Sequence, residues 1–376
     1  MANSLRYTGN DFTFIGEDIS PIMKLIAQKF TPLLDALSMG QPATNVYHQY
    51  RERSINGDYV TCSIAVNSAT ADTAVTIPDG NQLQVGMILE SEGALGTEKV
   101  RIASVTSNSM LLQRGWPYGT GAINTMTAGE KYWIVGQAEK EGADQGSDIT
   151  LARTSRSNYT QIFTKPIKMT GSERAVSLAP NLGDEFDVQT ELRAIEAAKE
   201  LEKTIIRGVS ANTIGDLTNP RTMDGLNAVI TAINSAVTTS SFATNPILYA
   251  NNVLKELWKT GARDIDLIAC GADVQAYFSN GNQSYLNVSQ QDEVTKRVVT
   301  RLITDFGQPR LLLVPNMKAT DALFLSTARV IPVELNGRSF QRTELAKTGD
   351  SSNRAIIGEY TLETHHRDKL ARVRLS

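Results

Sequence analysis

The sequence predicts an α+β fold, because three patterns follow one another along the 376 residues. From about Thr61 to Gln137, short runs of valine, isoleucine and leucine alternate with turn signals, which predicts about five or six strands of a small all-β domain. Residues 184–207 repeat apolar side chains at intervals of three and four, as one long amphipathic helix does. After them, helix and strand patterns alternate over about one hundred residues, which is typical of a mixed α/β region.

The overall composition is that of a globular protein. Apolar residues make up 41% and charged residues 20% of the chain, so wholesale disorder is not expected. The formal net charge of -3 gives no general attraction to nucleic acid or acidic membranes, so any DNA contact is predicted to be local and weak. Cys62 and Cys270 fit no metal or redox spacing and are predicted to be buried thiols of an intracellular product. No segment approaches the ~18 apolar residues of a membrane span, so no membrane partner is expected.

The first part of the chain carries two short helix signals. Ser20 and Thr31 each precede a proline, and this pairing is typical of an N-cap followed by the first helical position. Gly40 is predicted to stop the second helix. Residues 1–45 are therefore predicted to form a helical arm, whose narrow apolar stripe packs on the chain's own body or on a neighbouring copy.

Two segments that are predicted to be extended, "ATNVYHQYRERSI" and "TSRSNYTQIFTKPIKM", flank the predicted β-domain as arms. The arms carry basic and aromatic residues that we predict to contact neighbouring copies, because an extended arm has little of its own body to pack against. These candidates are Arg51, Arg53, Arg153, Arg156, Tyr159, Phe163, Lys165 and Lys168. A nucleic-acid patch is the weaker interpretation, since no aromatic stacking pattern or dominant positive charge accompanies them.

The end of the chain, residues 331–376, is predicted to contain antiparallel strands that finish in a hairpin. A two-residue turn at Arg367-Asp368 places the apolar residues of both strands on one face. Glu363 and Arg372 then face each other and are further contact candidates. The predicted register pairs Thr364 with Ala371, Leu362 with Val373, Tyr360 with Leu375 and Glu363 with Arg372.

The chain offers few groups for catalysis. Its three histidines, His48, His365 and His366, lack a metal-binding spacing, and the adjacent pair is predicted to point to opposite sides of a strand. Asp264 and Asp266 share one predicted strand face and are the remaining candidates for a carboxylate pair, but a role at a strand edge or in helix capping is the better interpretation. We therefore predict no catalytic residue, no metal and no cofactor.

Four stretches of the sequence carry a family resemblance. They are "AEKEGADQGSD", "RSNYTQIFTKPIKMTG", the long helix with its sequel "RTMDGL", and "LAKTGDSSNRAIIGEYTLETHHRDKLARV". These stretches resemble the major capsid proteins of tailed bacteriophages with the Hong Kong ninety-seven-type fold, in the subgroup with a β-domain inserted in the E-loop. They cover most of residues 137–226 and 343–376, whereas the α/β region between them is similar mainly in the order of its elements.

The resemblance implies a role for each part of the chain. It implies an N-terminal arm (1–45), an E-loop (46–170) with the inserted β-domain (61–137), a peripheral domain (171–219) with a spine helix (184–207), an axial domain (220–330), and further β-strands of the peripheral domain (331–376).

The same resemblance implies a structural function. Hexamers and pentamers of the chain would form the icosahedral or elongated head of a virion, assembled in the bacterial cytoplasm around double-stranded DNA. The other implied partners are a portal and, as optional components, scaffolding or decoration proteins. Two alternatives remain at this point: the shell of an encapsulin-like compartment, and an enzyme built on the α/β region.

Overall fold

The computed structural model divides the chain into two units. One unit contains the described residues up to Tyr50 and from Arg156 onward, and the other is Arg51–Ser155. The helix predicted to begin at Ser20 lies outside the described residues. Two strands, β1 (Tyr47–Glu52) and β8 (Thr154–Tyr159), pair with each other as a two-stranded sheet. The structure describes residues 31–63, 72–78, 80, 82–92, 98–117, 123, 127–139, 141–142, 146, 148–175, 185–230, 246–281, 301–346 and 349–374.

The unit Arg51–Ser155 contains a six-stranded antiparallel sheet with a core of its own. Val100, Leu112 and Tyr132 are fully buried in that core, as the two-residue period of a strand requires of its inward face. The sheet order is β2-β7-β4-β5-β6-β3. The strands are β2 (Tyr59–Thr61), β3 (Asp72–Thr76), β4 (Met87–Ser91), β5 (Lys99–Val105), β6 (Ser109–Gln113) and β7 (Lys131–Gln137).

The first sheet of the larger unit is built around a central strand, β15 (Ser351–Thr364). One side of β15 pairs with β9, and the other side pairs with β13 and β14, all antiparallel. Most side chains of β15 are buried, and the strand has paired neighbours on both edges. The flanking strands are β9 (Gln161–Thr170), β13 (Val330–Glu334) and β14 (Gln341–Leu345).

The second sheet of this unit contains four strands in the order β11-β10-β12-β16. β10 and β11 are parallel, and the other neighbours are antiparallel. All four residues of β10 and all five of β12 are buried, so the middle of this sheet lies in the main core. The strands are β10 (Leu267–Cys270), β11 (Arg310–Leu313), β12 (Asp321–Leu325) and β16 (Ala371–Arg374).

The predicted terminal hairpin is wrong. β15 pairs Leu362 with Pro332 of β13, whereas β16 pairs Val373 with Ala322 of β12. The two strands therefore belong to different sheets, and a 3₁₀ turn at Arg367–Lys369 lies between them instead of a two-residue reversal. Each strand matches its apolar face to a partner that is distant in sequence, and local pairing rules do not reveal such partners.

The longest helix of the described chain is α3 (Glu185–Arg207). Ala197, Leu201 and Ile205 are buried and four residues apart, so they form one stripe toward the main core. The helix contacts β9 and β15. Its predicted first residue, 184, lies outside the described residues. Among the described residues after the second unit, the other helices are α2 (Gly171–Ala175), α4 (Leu226–Val229), α5 (Pro246–Lys259) and α6 (Ala272–Gly281).

A short helix, α1 (Pro32–Ala36), is held at its start by a distant carboxylate. Thr31, the predicted N-cap, makes no side-chain capping bond. Glu202 on α3 performs this role, because its Oε2 accepts hydrogen bonds from the amides of Leu33 (2.9 Å) and Leu34 (3.1 Å). Burial raises the pKa of Glu202, although these bonds oppose the increase.

The chain after α1 follows the edge of the first sheet. The helix ends at Ala36, before the predicted stop at Gly40. Gly40 donates its amide to the carbonyl of Pro332 in β13 (2.8 Å), and Ala43 forms a parallel bridge with Leu335. The segment 31–43 is therefore attached to the body of its own chain.

Candidate assembly site

Three of the stretches that carry the family resemblance converge where β8 leads into β9. Asn158, from "RSNYTQ", is buried, and its Nδ2 donates to the carbonyls of Asp224 (3.0 Å) and Leu362 (2.9 Å). Its Oδ1 accepts a bond from the amide of Asp224 (2.9 Å). Asp224 belongs to "RTMDGL" and Leu362 to "GEYTLET", so one amide side chain joins segments that are 66 and 204 positions away.

A buried carboxylate extends this network. Glu359 on β15 is fully buried, and its Oε1 accepts bonds from Thr160 Oγ1 (2.6 Å) and Arg221 Nη2 (2.5 Å). Arg338 Nε lies 3.1 Å from the other carboxylate oxygen. A buried charge needs such partners, because its removal from water is costly. We call Asn158, Thr160, Arg221, Asp224 and Glu359 the outgoing anchor, since they fix the end of β8, the strand by which the chain leaves the second unit.

The incoming strand β1 is held by a cluster of a different kind. Glu363 binds His48 Nε2 through Oε1 (2.5 Å) and His365 Nε2 through Oε2 (3.0 Å). The Tyr50 hydroxyl donates to the carbonyl of Thr364 (3.3 Å) and accepts from its amide (3.2 Å). The Tyr50 ring also meets the His365 ring edge-on, with centroids 4.9 Å apart. We call His48, Tyr50, Glu363 and His365 the incoming anchor.

The electrostatics of the incoming anchor favour an ionised carboxylate. Burial raises the pKa of Glu363, but the hydrogen bonds and charges of His365 and His48 outweigh burial and hold the pKa at about 2. Glu363 therefore stays ionised at pH values well above 2, and an ionised carboxylate has an oxygen to accept a hydrogen bond from each imidazole.

The family comparison decides which kind of protein these anchors belong to. The family described as SU10 major capsid protein matches residues 6–375. The chain belongs to the SU10 major capsid protein family. It is therefore a structural protein of a phage virion and not an enzyme. This match also decides against the encapsulin-like alternative.

Solved structures resemble this chain at low sequence identity. A chain from Mycobacterium phage Cain is 9% identical with a TM-score of 0.49, and the match covers 99% of this chain and 98% of that one. A chain from Mycobacterium phage Adephagia is 10% identical with a TM-score of 0.46 over 99% and 98%. One from the Cyanophage A-1(L) capsid asymmetric unit is 9% identical with a TM-score of 0.46 over 64% and 84%. Because these scores are below 0.5, the assignment rests on the family match. No curated protein matches the chain significantly.

The ten predicted contact residues fall into two groups according to their exposure. Five cations of the two arms are exposed to solvent, as a contact with another copy requires. The other five are partly or fully buried within the chain. The exposed group is Arg51, Arg53, Arg153, Arg156 and Lys168, and the second group is Tyr159, Phe163, Lys165, Glu363 and Arg372.

The arm residues of the second group have partners within the chain. Phe163 is 1% exposed, and its ring packs 6.2 Å from the Phe340 ring in the core. Lys165 forms an ion pair with Glu200 on α3. The Tyr159 ring lies 5.0 Å from the ring of Tyr47. Phe163 in particular stabilises its own subunit and presents almost no surface to a neighbour.

The predicted pairing of Glu363 with Arg372 is wrong. Glu363 binds the two imidazoles of the incoming anchor, and Arg372 Nη1 donates to the carbonyl of Asn227 (2.5 Å). The physical reason is the separation of β15 and β16 into different sheets.

Reasoning from residue type missed the outgoing anchor. Asn158 and Thr160 are uncharged, and Arg221 and Glu359 stand in no catalytic or metal-binding spacing. The family resemblance was the sequence feature that could have pointed to these four residues, since all of them lie in the stretches that carry it.

Asp264 and Asp266 have structural roles. Asp264 forms a two-point ion pair with Arg329 (2.7 and 2.8 Å), and Asp266 accepts bonds from Thr327 (2.8 and 2.5 Å). Burial raises the pKa of Asp264, but the bonds from Arg329 and Ser326 hold it below the ordinary value. Within the described ranges, no group of three or more His, Cys, Asp and Glu side chains could hold a metal ion. None of the helices described is both long and apolar enough to cross a membrane.

Proposed function

We propose that this capsid protein forms hexamers and pentamers that close into the icosahedral or elongated head of a tailed phage. The head encloses double-stranded DNA and is assembled in the cytoplasm of the host bacterium. In this proposal residues 1–45 are the N-terminal arm, 46–170 the E-loop with its inserted domain, and 220–330 the axial domain. The peripheral domain consists of residues 171–219 and 331–376.

The observation that carries the proposal is the attachment of both arms to one strand. The outgoing anchor binds Leu362 through Asn158, and the incoming anchor binds Glu363 through His48. These two residues are neighbours on β15. Both feet of the E-loop therefore start from one well-supported strand, which suits a loop that must reach a defined place on another copy.

The exposed cations supply the attraction in this proposal. Arg51, Arg53, Arg153, Arg156 and Lys168 pair with acidic groups of neighbouring copies, so assembly weakens as salt concentration rises. With a formal net charge of -3, the chain contacts packaged DNA only weakly and without sequence preference. A portal completes the particle, and scaffolding and decoration proteins are its optional further components.

Electron microscopy of the chain expressed alone tests the proposal. Wild-type protein is expected to form uniform shells, tubes or ring-shaped capsomers, and the double variant Arg51→Glu/Arg53→Glu to form far fewer. Arg193→Glu/Lys203→Glu is the matched control, because it reverses two charges on the outer face of α3. A wild-type chain that stays small and soluble, alone and with candidate scaffolding proteins, would overturn the proposal.

A further inference from the structure

The loop between α3 and α4 presents an aliphatic surface to solvent. Val209 is 70% exposed, Ile214 is 59% exposed and Leu217 is fully exposed at 109%. Single exposed apolar residues are ordinary on a soluble protein, but several on one ordered segment indicate an interaction site. We call the segment Val209–Asn219 the aliphatic loop.

The neck of this loop is formed by two glycines. The amide of Gly225 donates to the carbonyl of Gly208 (3.0 Å). A Cβ atom on Gly225 would lie 2.5 Å from the Thr204 carbonyl oxygen and 2.6 Å from the Gly208 nitrogen, so only glycine permits this approach. The two ends of the loop are thereby held together.

Side chains fix the interior of the loop as well. The Thr222 hydroxyl accepts from the amide of Ala211 (2.7 Å) and donates to the carbonyl of Val209 (2.8 Å). The carboxylate of Asp216 accepts from the amides of Thr218 (2.7 Å) and Asn219 (2.6 Å). Because these bonds order the loop before any partner arrives, little conformational entropy is lost on docking.

The charge pattern of the loop indicates the kind of partner. Asp216 is its one ionisable residue, and the amides of Asn219 and Thr218 lower the pKa of this carboxyl. A phosphate backbone or an anionic lipid surface requires lysine or arginine at the contact, and this loop has neither. The loop therefore suits the uncharged, aliphatic surface of a protein.

We propose that the aliphatic loop docks against a second copy of this chain. A major capsid protein is surrounded by copies of itself, and the inference rests on the self-assembly proposed above. The loop is also mounted on the outgoing anchor, because the Asp224 side chain accepts from the amide of Ser210 (2.8 Å) while its backbone binds Asn158. A neighbour that seats on the loop therefore also sets the position of the outgoing foot of the E-loop.

Cysteine labelling of Leu217→Cys tests the inference. The native thiols, Cys62 and Cys270, are buried, so a maleimide is expected to react with the new thiol alone. We expect labelling in the unassembled protein and at least tenfold slower labelling in shells. Equal labelling rates in the two states would overturn the inference while leaving self-assembly intact.

A photo-crosslinker on the same thiol identifies the partner. It is attached before assembly of a mixture of ordinary and ¹⁵N-labelled subunits, and crosslinked peptides are read by mass spectrometry. Mixed-isotope peptides of this chain support the inference. Crosslinks to a different phage protein alone would overturn it. If the wild-type chain formed no shells by itself, the self-assembly proposal would fail, and labelling in particles made with coexpressed head proteins would still decide the contact of the loop.

A pair of substitutions measures the contribution of the side chain. Leu217→Asp is expected to reduce the yield of shells at least tenfold, whereas Leu217→Met retains it. Circular dichroism and urea unfolding of the unassembled protein separate an assembly defect from a folding defect. Normal shell yield with Leu217→Asp would contradict the inference.

Discussion

The strands that lead into and out of the second unit, β1 and β8, are fixed to adjacent residues of β15 by different chemistry. The outgoing anchor uses an uncharged amide, Asn158, and the guanidinium of Arg221 on Glu359. The incoming anchor uses the imidazoles of His48 and His365 on Glu363. The pKa of Glu363 is held at about 2, so its charge is lost only in acid, whereas the side-chain amide of Asn158 does not titrate. The two attachments on one strand therefore respond differently to acid.

Substitution of Arg221 is expected to have the largest effect on the free energy of unfolding. Arg221→Ala leaves the fully buried Glu359 with weaker compensation, so we expect the free energy of unfolding to fall by about 3 kcal/mol. Urea unfolding of the unassembled protein measures this. Arg193→Ala is the control, because Arg193 and Glu196 form an exposed pair worth less than about 1 kcal/mol. Equal effects of the two variants would contradict a supporting role for Arg221.

The loss of the Asn158 side chain is expected to rank second. Asn158→Ala removes the bonds to Asp224 and Leu362 and leaves buried backbone groups without partners, which costs about 2 kcal/mol. Because this amide does not titrate, the difference from wild type should stay the same between about pH 7 and pH 4. If the difference between Asn158→Ala and wild type changed with pH, a titrating group would contribute to the outgoing anchor, and the prediction would be contradicted.

Replacing Glu363 tests how the incoming anchor contributes to stability at different pH values. Its folded-state pKa of about 2 lies below the ordinary 4.5, so the ionised carboxylate stabilises the fold above pH 4.5 and loses this contribution as the pH falls toward 2. We expect Glu363→Gln to lower the free energy of unfolding by about 1.5 kcal/mol at neutral pH, since solvent screens this half-buried group. Unfolding of both proteins at several pH values should show the difference shrinking in acid. A constant difference would contradict this.

The smallest effect on the subunit is expected at the exposed cations. Arg51→Ala should change the free energy of unfolding by less than about 0.5 kcal/mol, as is usual for surface substitutions. The same variant should lower the salt concentration at which shells dissociate, and light scattering during a salt titration measures this. Reduced stability of the unassembled subunit would place Arg51 in the fold and not at a contact between copies.

Local patterns in the sequence predicted those secondary-structure elements that are determined by residues within one segment. The long helix is such a case, because its buried stripe repeats within one segment, and the described helix begins at Glu185. The terminal hairpin failed for the opposite reason. Leu362 and Val373 are near in sequence, but each pairs with a strand about thirty or fifty positions earlier, and alternation alone does not name a partner.

In the candidate site, too, local features could be predicted from the sequence and long-range partners could not. Exposed cations such as Arg51 could be predicted from residue type and from their position on an arm. The amide of Asn158 could not, because its function depends on a carbonyl 204 positions away. Nor could the capping of α1 by Glu202, since a carboxylate on an amphipathic helix is usually assigned to the solvated face.

The capping of α1 by Glu202 has a consequence for the order of events on the ribosome. A helix of five residues is too short to be stable by itself, and the carboxylate that caps it lies 169 positions downstream. That carboxylate is itself oriented by the side-chain amide of Asn316 (2.8 Å). The early segment therefore cannot settle onto the body until most of the chain has been translated, so a nascent or truncated polypeptide lacks this attachment and a completed one acquires it.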